Sequence, residues 1–286
     1  MENTYFTWED FTANYNAQID SCDKLLNRIT ENGMKANSLL SFDFHFLSDE
    51  KQKVEALFEF IKSSYTYKLK DIILRDDGLW ELTGETNEFA LTFDNVLFWI
   101  LDMYKRGYEF DCTLDGYGAL SDVKNQSFPD LNPDLEQQYF EKGLELYKGG
   151  DLSGAIINWS LVLEIKPDEV NALYSRAIVK DELYCKLAAL ADYDKAIELV
   201  PNFMSALVNR GSLKDSMHDF EGAIADYNSI IENEKSDQKT VAQAYFNKGN
   251  TYLQLENLAD AKLNWESASK MGADYADEQI KFGTNS

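Results

Sequence analysis

The chain is rich in one kind of reactive side chain and poor in the others. Fifty carboxylates stand against two histidines, His45 and His218, and three cysteines, Cys22, Cys112 and Cys185. A metal centre or a histidine-assisted nucleophile needs several ligands or partners at short spacing, and neither histidine has them in the sequence. The patterns GxxxxGK[ST], HExxH and GxSxG are missing, as is a GxGxxG following a strand. "DGYG" at 115–118 is glycine-punctuated, but no helix follows it to offer an anion-binding N-terminus, so it reads as a strand end and turn. No catalytic residue, metal or cofactor is expected. The chemistry these residues can do is recognition by charge.

The net charge is −23, divided almost equally as −12 over residues 1–130 and −11 over the rest. Acidity spread in this way repels phosphate backbones, which argues against direct nucleic-acid binding, and it suits a basic partner as well as plain solubility. Three well-separated cysteines form no disulfide framework. The N-terminal "MENTYFTWEDFTANYNAQ" has neither a basic flank nor an apolar stretch, so no signal peptide is visible. No apolar run approaches the ~18 residues of a membrane helix. The chain is expected to be cytoplasmic.

The elements that must position these side chains follow from periodicity. Trp8, Phe11, Tyr15, Ile19, Cys22, Leu26 and Ile29 recur at three and four, predicting one helix stopped near Gly33. "SFDFHF" alternates strictly, with Phe42, Phe44 and Phe46 on one face and Ser41, Asp43 and His45 on the other. A helix carrying Val54, Leu57, Phe58 and Ile61 follows, then strands "YKLKDIILR" and "LWELTGETNEF" about a "DDG" turn. A second helix, with Phe93, Val96, Leu97, Ile100 and Tyr104 on one side, leads to a last strand, "EFDCTLDGYGAL". The order βαββαβ behind a leading helix predicts a ferredoxin-like α+β domain over 1–120 and a polar linker at 121–135. Alternation with Phe110, Cys112 and Leu114 inward places Asp111, Thr113, Asp115 and Tyr117 outward. Trp80 and Leu82 inward leaves Glu81, Thr83 and Glu85 outward. With Asp43, these make an acidic sheet face, and Tyr117 is its anchor.

The stretch 1–120 resembles the regulator of ribonuclease E activity B (ribonuclease E inhibitor) family. The resemblance rests on the leading helix ending in "NG", the strand running into "LSDE", and "YEFDCTLDGYGAL" with its Asp115-Gly116-Tyr117-Gly118. It implies a protein that binds a ribonuclease or its RNA-decay assembly. Members of that family are usually single-domain with an acidic tail, so the appended C-terminal half is a departure.

That half is periodic. Ala155, Ala189, Ala223 and Ala261 are spaced 34, 34 and 38 apart, each followed after four residues by an aromatic (Trp159, Tyr193, Tyr227, Trp265). Each alanine is preceded by twelve residues by Gly143, Ala177, Gly211 or Gly249, and Pro167 and Pro201 close the first two units. Small residues let paired helices approach closely, the aromatic fills the gap to the neighbouring unit, and proline ends the hairpin. The pattern resembles the tetratricopeptide repeat (TPR), an all-α solenoid, over four units at 136–169, 170–203, 204–241 and 242–275, with a short capping helix before 286. In that family the first helices line a groove. The resemblance therefore places Phe140, Tyr174, Val208 and Phe246 there, with Asn209, Asn247 and Asn250 to hold a peptide segment. The basic residues with which chaperone-type repeats clamp a terminal carboxylate are missing from these positions.

Together these readings predict a non-enzymatic interaction protein that inhibits or remodels a ribonuclease through its acidic face while its repeats grip a second protein. An immunity-type inhibitor of a nuclease toxin and a general TPR scaffold are the alternatives.

Overall fold

Phe42, Phe44 and Phe46 are all fully buried on one face of β1 (Leu39–Ser48), as a strand with a two-residue period requires. In the computed structural model, which describes residues 3–120 and 122–282, this strand is the middle of a six-stranded antiparallel sheet. On one side β1 pairs with β4 (Trp80–Glu85), which in turn pairs with two short strands, β2 (Lys68–Leu69) and β3 (Ile73–Leu74). Along the same edge, at its start, β1 pairs with β5 (Phe89–Ala90), and on its other side with β6 (Thr113–Leu120). The expected strand over "YKLKDIILR" is thus broken. Lys70 N donates to Thr83 O and Ile73 pairs with Glu81, so three residues on one strand span two on the other, a bulge at 71–72. "LWELTGETNEF" also divides, because the register along β1 slips by one residue between Glu85, opposite Asp43, and Phe89, opposite Leu40.

Three helices accompany the sheet. α1 (Trp8–Glu31) starts in a capping box between Thr7 and Asp10 and ends before Gly33, whose φ of 99° only glycine adopts freely. α2 (Lys51–Ser64) buries Val54, Leu57 and Ile61. α3 (Phe93–Glu109) differs from the one-sided helix expected. From Asn95 to Tyr104 every residue is buried, while Phe93 is exposed. The apolar run "VLFWIL" suits a helix covered all round.

The chain divides into two compact units, Met1–Pro167 and Asp168–Ser286. The first contains the sheet and also the first helical pair, α4 (Glu136–Gly149) and α5 (Leu152–Ile165), with α5 packed on α3. The second holds the pairs α6 (Val170–Glu182) with α7 (Lys186–Leu199), α8 (Met204–Ser216) with α9 (Phe220–Ile231), and α10 (Gln238–Gln254) with α11 (Leu258–Lys270), then α12 (Ala276–Phe282). α10 begins inside the unit spaced as 204–241, so part of the extra sequence there lengthens a helix.

The small residues of the repeat have a direct cause. A Cβ on Gly211 would lie 2.6 Å from the Tyr227 ring, and on Gly249 or Gly143 2.5 or 2.4 Å from Trp265 or Trp159. Each ring therefore lies on the glycine of its own hairpin. Tyr227 also shares a cluster with Ala244 of the following helix, so it serves both packings.

Candidate interaction surfaces

β1 and β4 pair with Asp43 opposite Glu85, His45 opposite Thr83 and Leu47 opposite Glu81. Paired residues share a face, so Asp43, His45, Glu81 and Glu85 stand together on the face opposite the buried phenylalanines. Glu81 Oε1 lies 3.1 Å from His45 Nδ1, and Asp43 Oδ2 lies 3.7 Å from His45 Nε2. Asp115, with its side chain 53 % exposed, joins them through Arg75, whose guanidinium is 3.9 Å from Glu81 and 3.8 Å from Asp115. Lys68 sits 3.5 Å from Glu85, which also accepts from Ser41. The face is therefore acidic at its centre with Arg75 and Lys68 at one edge, a partial neutralisation that alternation within single strands does not reveal.

Two residues expected on this face lie elsewhere. The register of β6 against β1 runs from Leu114 opposite Phe46 to Gly116 opposite His45, leaving Asp115 as an extra residue. This bulge reverses the alternation beyond it, so Tyr117 pairs with Phe44 and points to the helices. There its ring meets Trp99 edge-on at 5.9 Å, and its hydroxyl is 3.5 Å from Gln18 of α1. Burial pushes its phenol above the ordinary value. Tyr117 lines a small cleft with Gln18, Lys24, Arg28 and Asp115 and is no part of the acidic face.

Asp111 precedes β6, since α3 continues to Glu109. It is buried, with φ of 54°, a left-handed conformation that aspartate tolerates better than most residues. Its carboxylate accepts from the backbone N–H groups of Thr4, Tyr5 and Phe6 at 3.0, 2.9 and 2.6 Å and from Lys53 Nζ at 2.7 Å. Burial opposes ionisation here, yet Lys53 and the three N–H groups outweigh it and hold the carboxyl well below the usual range. Asp111 is an anchor for the N-terminal segment. A cleft of about 550 Å³ beside it is lined by Thr4, Lys53, Glu109 and Asp111, but these two carboxylates are already engaged by Lys53, Lys105 and Arg106.

A buried polar network escaped the periodicity altogether. Asp102 on α3 is fully buried and accepts from Tyr65 OH at 3.0 Å and from Ser153 N, at the start of α5, at 2.9 Å. Arg106 Nε lies 3.2 Å from Asp102 and 3.1 Å from Tyr65, and its other nitrogens reach Gly150 O and Glu109 at 2.8 and 2.7 Å. Burial, then the charge of Asp102, push the Asp151 carboxyl up to about 7. The sequence signal was available: an Asp and an Arg one turn apart inside an apolar helix must find partners.

The candidate groove residues divide by unit. In the second, Asn209 Nδ2 donates to Tyr174 OH at 3.2 Å, and the Tyr174 ring packs on Tyr193 and Phe203. Val208 is buried in the hairpin core. Asn247 donates to Ser212 at 3.3 Å, and Phe246 meets Tyr275 edge-on at 4.7 Å. Asn250 Oδ1 accepts from Trp265 Nε1 at 3.0 Å, which braces its own hairpin. Phe140 belongs to the first unit, where its carbonyl accepts from Trp159 Nε1 at 3.3 Å.

A second feature the spacing did not single out is a repeated ion cluster. Arg176 grips Asp192 with Lys180 alongside, and Arg210 grips Asp226 with Lys214 alongside, in the same geometry 34 residues on. Among the described residues no group of three or more His, Cys, Asp or Glu could hold a metal ion, and no helix is long and apolar enough to cross a membrane.

Residues 20–119 match the family model "Regulator of ribonuclease activity B", and residues 242–267 match a tetratricopeptide repeat. None of the curated proteins matches the sequence. Solved structures similar to this chain include MamA residues 41 to the end from Desulfovibrio magneticus RS-1, at 18 % identity and TM-score 0.48 over 52 % of this chain and 84 % of that one. Pseudomonas aeruginosa PilF is 21 % identical, at TM-score 0.44 over 49 % and 62 %. The first TPR of Spaghetti (RPAP3), bound to the HSP90 peptide SRMEEVD, is 21 % identical, at TM-score 0.40 over 44 % and 96 %. The chain thus carries a region of the ribonuclease-regulator type followed by tetratricopeptide repeats.

Proposed function

We propose that this protein is a non-enzymatic, cytoplasmic regulator that docks on a ribonuclease or on an RNA-decay assembly and lowers its activity. The observation that carries this reading is that the region matching the ribonuclease-regulator family, 20–119, contains the whole outer sheet face with Asp43, Glu81, Glu85 and Asp115. Its strand sequence, β6 beside β1 beside β4 beside the short β2 and β3, supports the ferredoxin-like reading, with β5 as an addition. Carboxylates gathered on an open face complement a basic surface such as one that handles RNA, and they act chiefly on the rate of encounter. The repeats of the second unit contribute a second docking site for a protein segment, with Tyr174, Asn209, Phe246 and Asn247 as its contact residues.

The test is purification of the chain with its bound proteins, followed by ribonuclease assays with and without it at two salt concentrations. A ribonuclease or decay component is expected, slowed by the wild-type chain and less by a Glu81→Gln, Glu85→Gln, Asp115→Asn variant, most clearly at low salt. Recovery of partners unrelated to RNA, or undiminished inhibition by the variant, would overturn the reading. A nuclease toxin as the sole partner would instead identify an immunity-type inhibitor.

A further inference from the structure

The first helices of the hairpins in the second unit are tied to one another through their side chains. Asn209 Nδ2 donates to Tyr174 OH at 3.2 Å, Asn247 Nδ2 to Ser212 Oγ at 3.3 Å, and Thr251 Oγ1 to Asp215 Oδ2 at 2.9 Å. These contacts trace one row along α6, α8 and α10, and Tyr174, Asn209 and Asn247 of the second docking site belong to it. The six side chains are hydroxyls, amides and one carboxylate, with no lysine or arginine among them.

Asp215 is the charged member of the row, and its bonding is incomplete. Its Oδ2 accepts from Tyr227 OH and from Thr251 Oγ1, both at 2.9 Å, while its Oδ1 is buried with no hydrogen-bond partner among the described residues. Burial keeps this carboxyl above the ordinary range, against the pull of both hydroxyls. Asp181 stands one repeat earlier, 34 residues before Asp215. The equivalence is physical as well as numerical. Burial first, and Asp181 among the neighbouring charges, raise the Tyr193 phenol, as burial and Asp215 raise that of Tyr227. Burial raises the Asp181 carboxyl too, opposed by Lys186, whose Nζ donates to Ser216 O at 2.8 Å. A cationic side chain brings donors and opposite charge to an acceptor that lacks both, and charge-assisted hydrogen bonds are the strong ones.

Given the docking site proposed for the second unit, we propose that the protein segment it holds is basic, with one lysine or arginine seated at Asp215 and another at Asp181. A segment laid across successive first helices meets the two carboxylates in turn, because each repeat presents the same position to it. An acidic segment meets repulsion at both, so the pair of aspartates selects by sign of charge as well as adding attraction.

The experiment is fluorescence anisotropy of the full chain with synthetic peptides of one leucine–serine frame that carry lysine, glutamine or glutamate at every third position. Salt is held at ~0.15 M, where distant exposed charges are largely screened. The lysine peptide is expected to bind ~10-fold or more tighter than the glutamine peptide, and the glutamate peptide most weakly. Asp181→Asn with Asp215→Asn should remove that preference and leave the glutamine peptide unchanged, which also shows that the variant folds. Asp215→Asn alone, whose amide oxygen still accepts from Tyr227 and Thr251, should lose part of the preference. Glu221→Gln with Glu234→Gln takes the same charge from exposed positions of the same unit and should keep it. Equal binding of all the peptides, a preference that survives in both aspartate variants, or one lost equally in the glutamate variant would overturn the basic segment while leaving the docking site standing. Binding of none of the peptides would overturn the docking site and the basic segment together.

Discussion

At the scale of single residues, two aspartates show how environment decides what a carboxylate does. Asp111 binds three backbone N–H groups and Lys53, while the outer-face Asp115 is half-exposed with Arg75 3.8 Å away. Alternation treated them as equivalents because it sees spacing and not the helix end that carries Asp111 into a left-handed turn. Asp111→Asn should cost ~2–3 kcal/mol at neutral pH, since hydrogen bonds to a charged acceptor are the strong ones and Lys53 loses its partner. The sign of the pH dependence follows from the lowered carboxyl. Its contribution is present above the unfolded value near ~4 and is lost as pH falls below it. Chemical denaturation of both proteins at pH 7 and pH 3 should show the difference shrinking on acidification. A difference that persists at low pH would mean that the asparagine disturbs packing and not charge.

At the scale of elements, legibility followed the strength of the period. The phenylalanines of β1 and the three registers of the repeat each leave one face in the core, and the elements lie where the sequence places them. What was not legible arises between strands: the Asp115 bulge turns Tyr117 inward, and the break at 71–72 splits one strand in two, because register depends on the neighbour. The buried run of α3 is visible as an apolar stretch, but what covers it comes from elements distant in sequence. The repeat also sets two opposed effects against each other at Gly211. Alanine favours a helix by ~1 kcal/mol over glycine. A Cβ there would sit 2.6 Å from the Tyr227 ring, however, and that ring is fully buried with the core of α8 and α9 around it. Overpacking of this kind costs ~1–3 kcal/mol, so the clash should win and Gly211→Ala should lower the thermal midpoint. A midpoint at or above wild type would show that the ring can move aside.

At the scale of the whole chain, the boundary drawn from composition and the one drawn from contacts differ in what they imply. A linker at 121–135 suggests that the sheet domain stands alone, whereas the first compact unit reaches Pro167 and takes in α4 and α5. The reason is chemical. Asp102 and Arg106 on α3 are buried, and part of their hydrogen bonding comes from Ser153 N and Gly150 O. A chain ending at residue 135 keeps Tyr65 and Glu109 as partners but loses those two, and it uncovers the side of α3 on which α5 packs. Loss of partners for a buried charge is costly, on the order of 3 kcal/mol. The shorter chain should therefore melt ~10 °C below one ending at Pro167. The two should also differ with pH. In the longer chain Asp151 carries a carboxyl raised to about 7 by burial and by Asp102, so the folded state holds its proton more tightly than the unfolded state. Stability should then fall as pH rises from ~4 to 7 and level off above, and the slope should be shallower in the shorter chain, which lacks Asp151 but keeps Asp102, itself raised by burial. Thermal scans of both chains at pH 5 and pH 8 check both statements. Equal midpoints at both values would mean that the first helical pair adds nothing to the sheet domain, and that the polar linker is the true boundary.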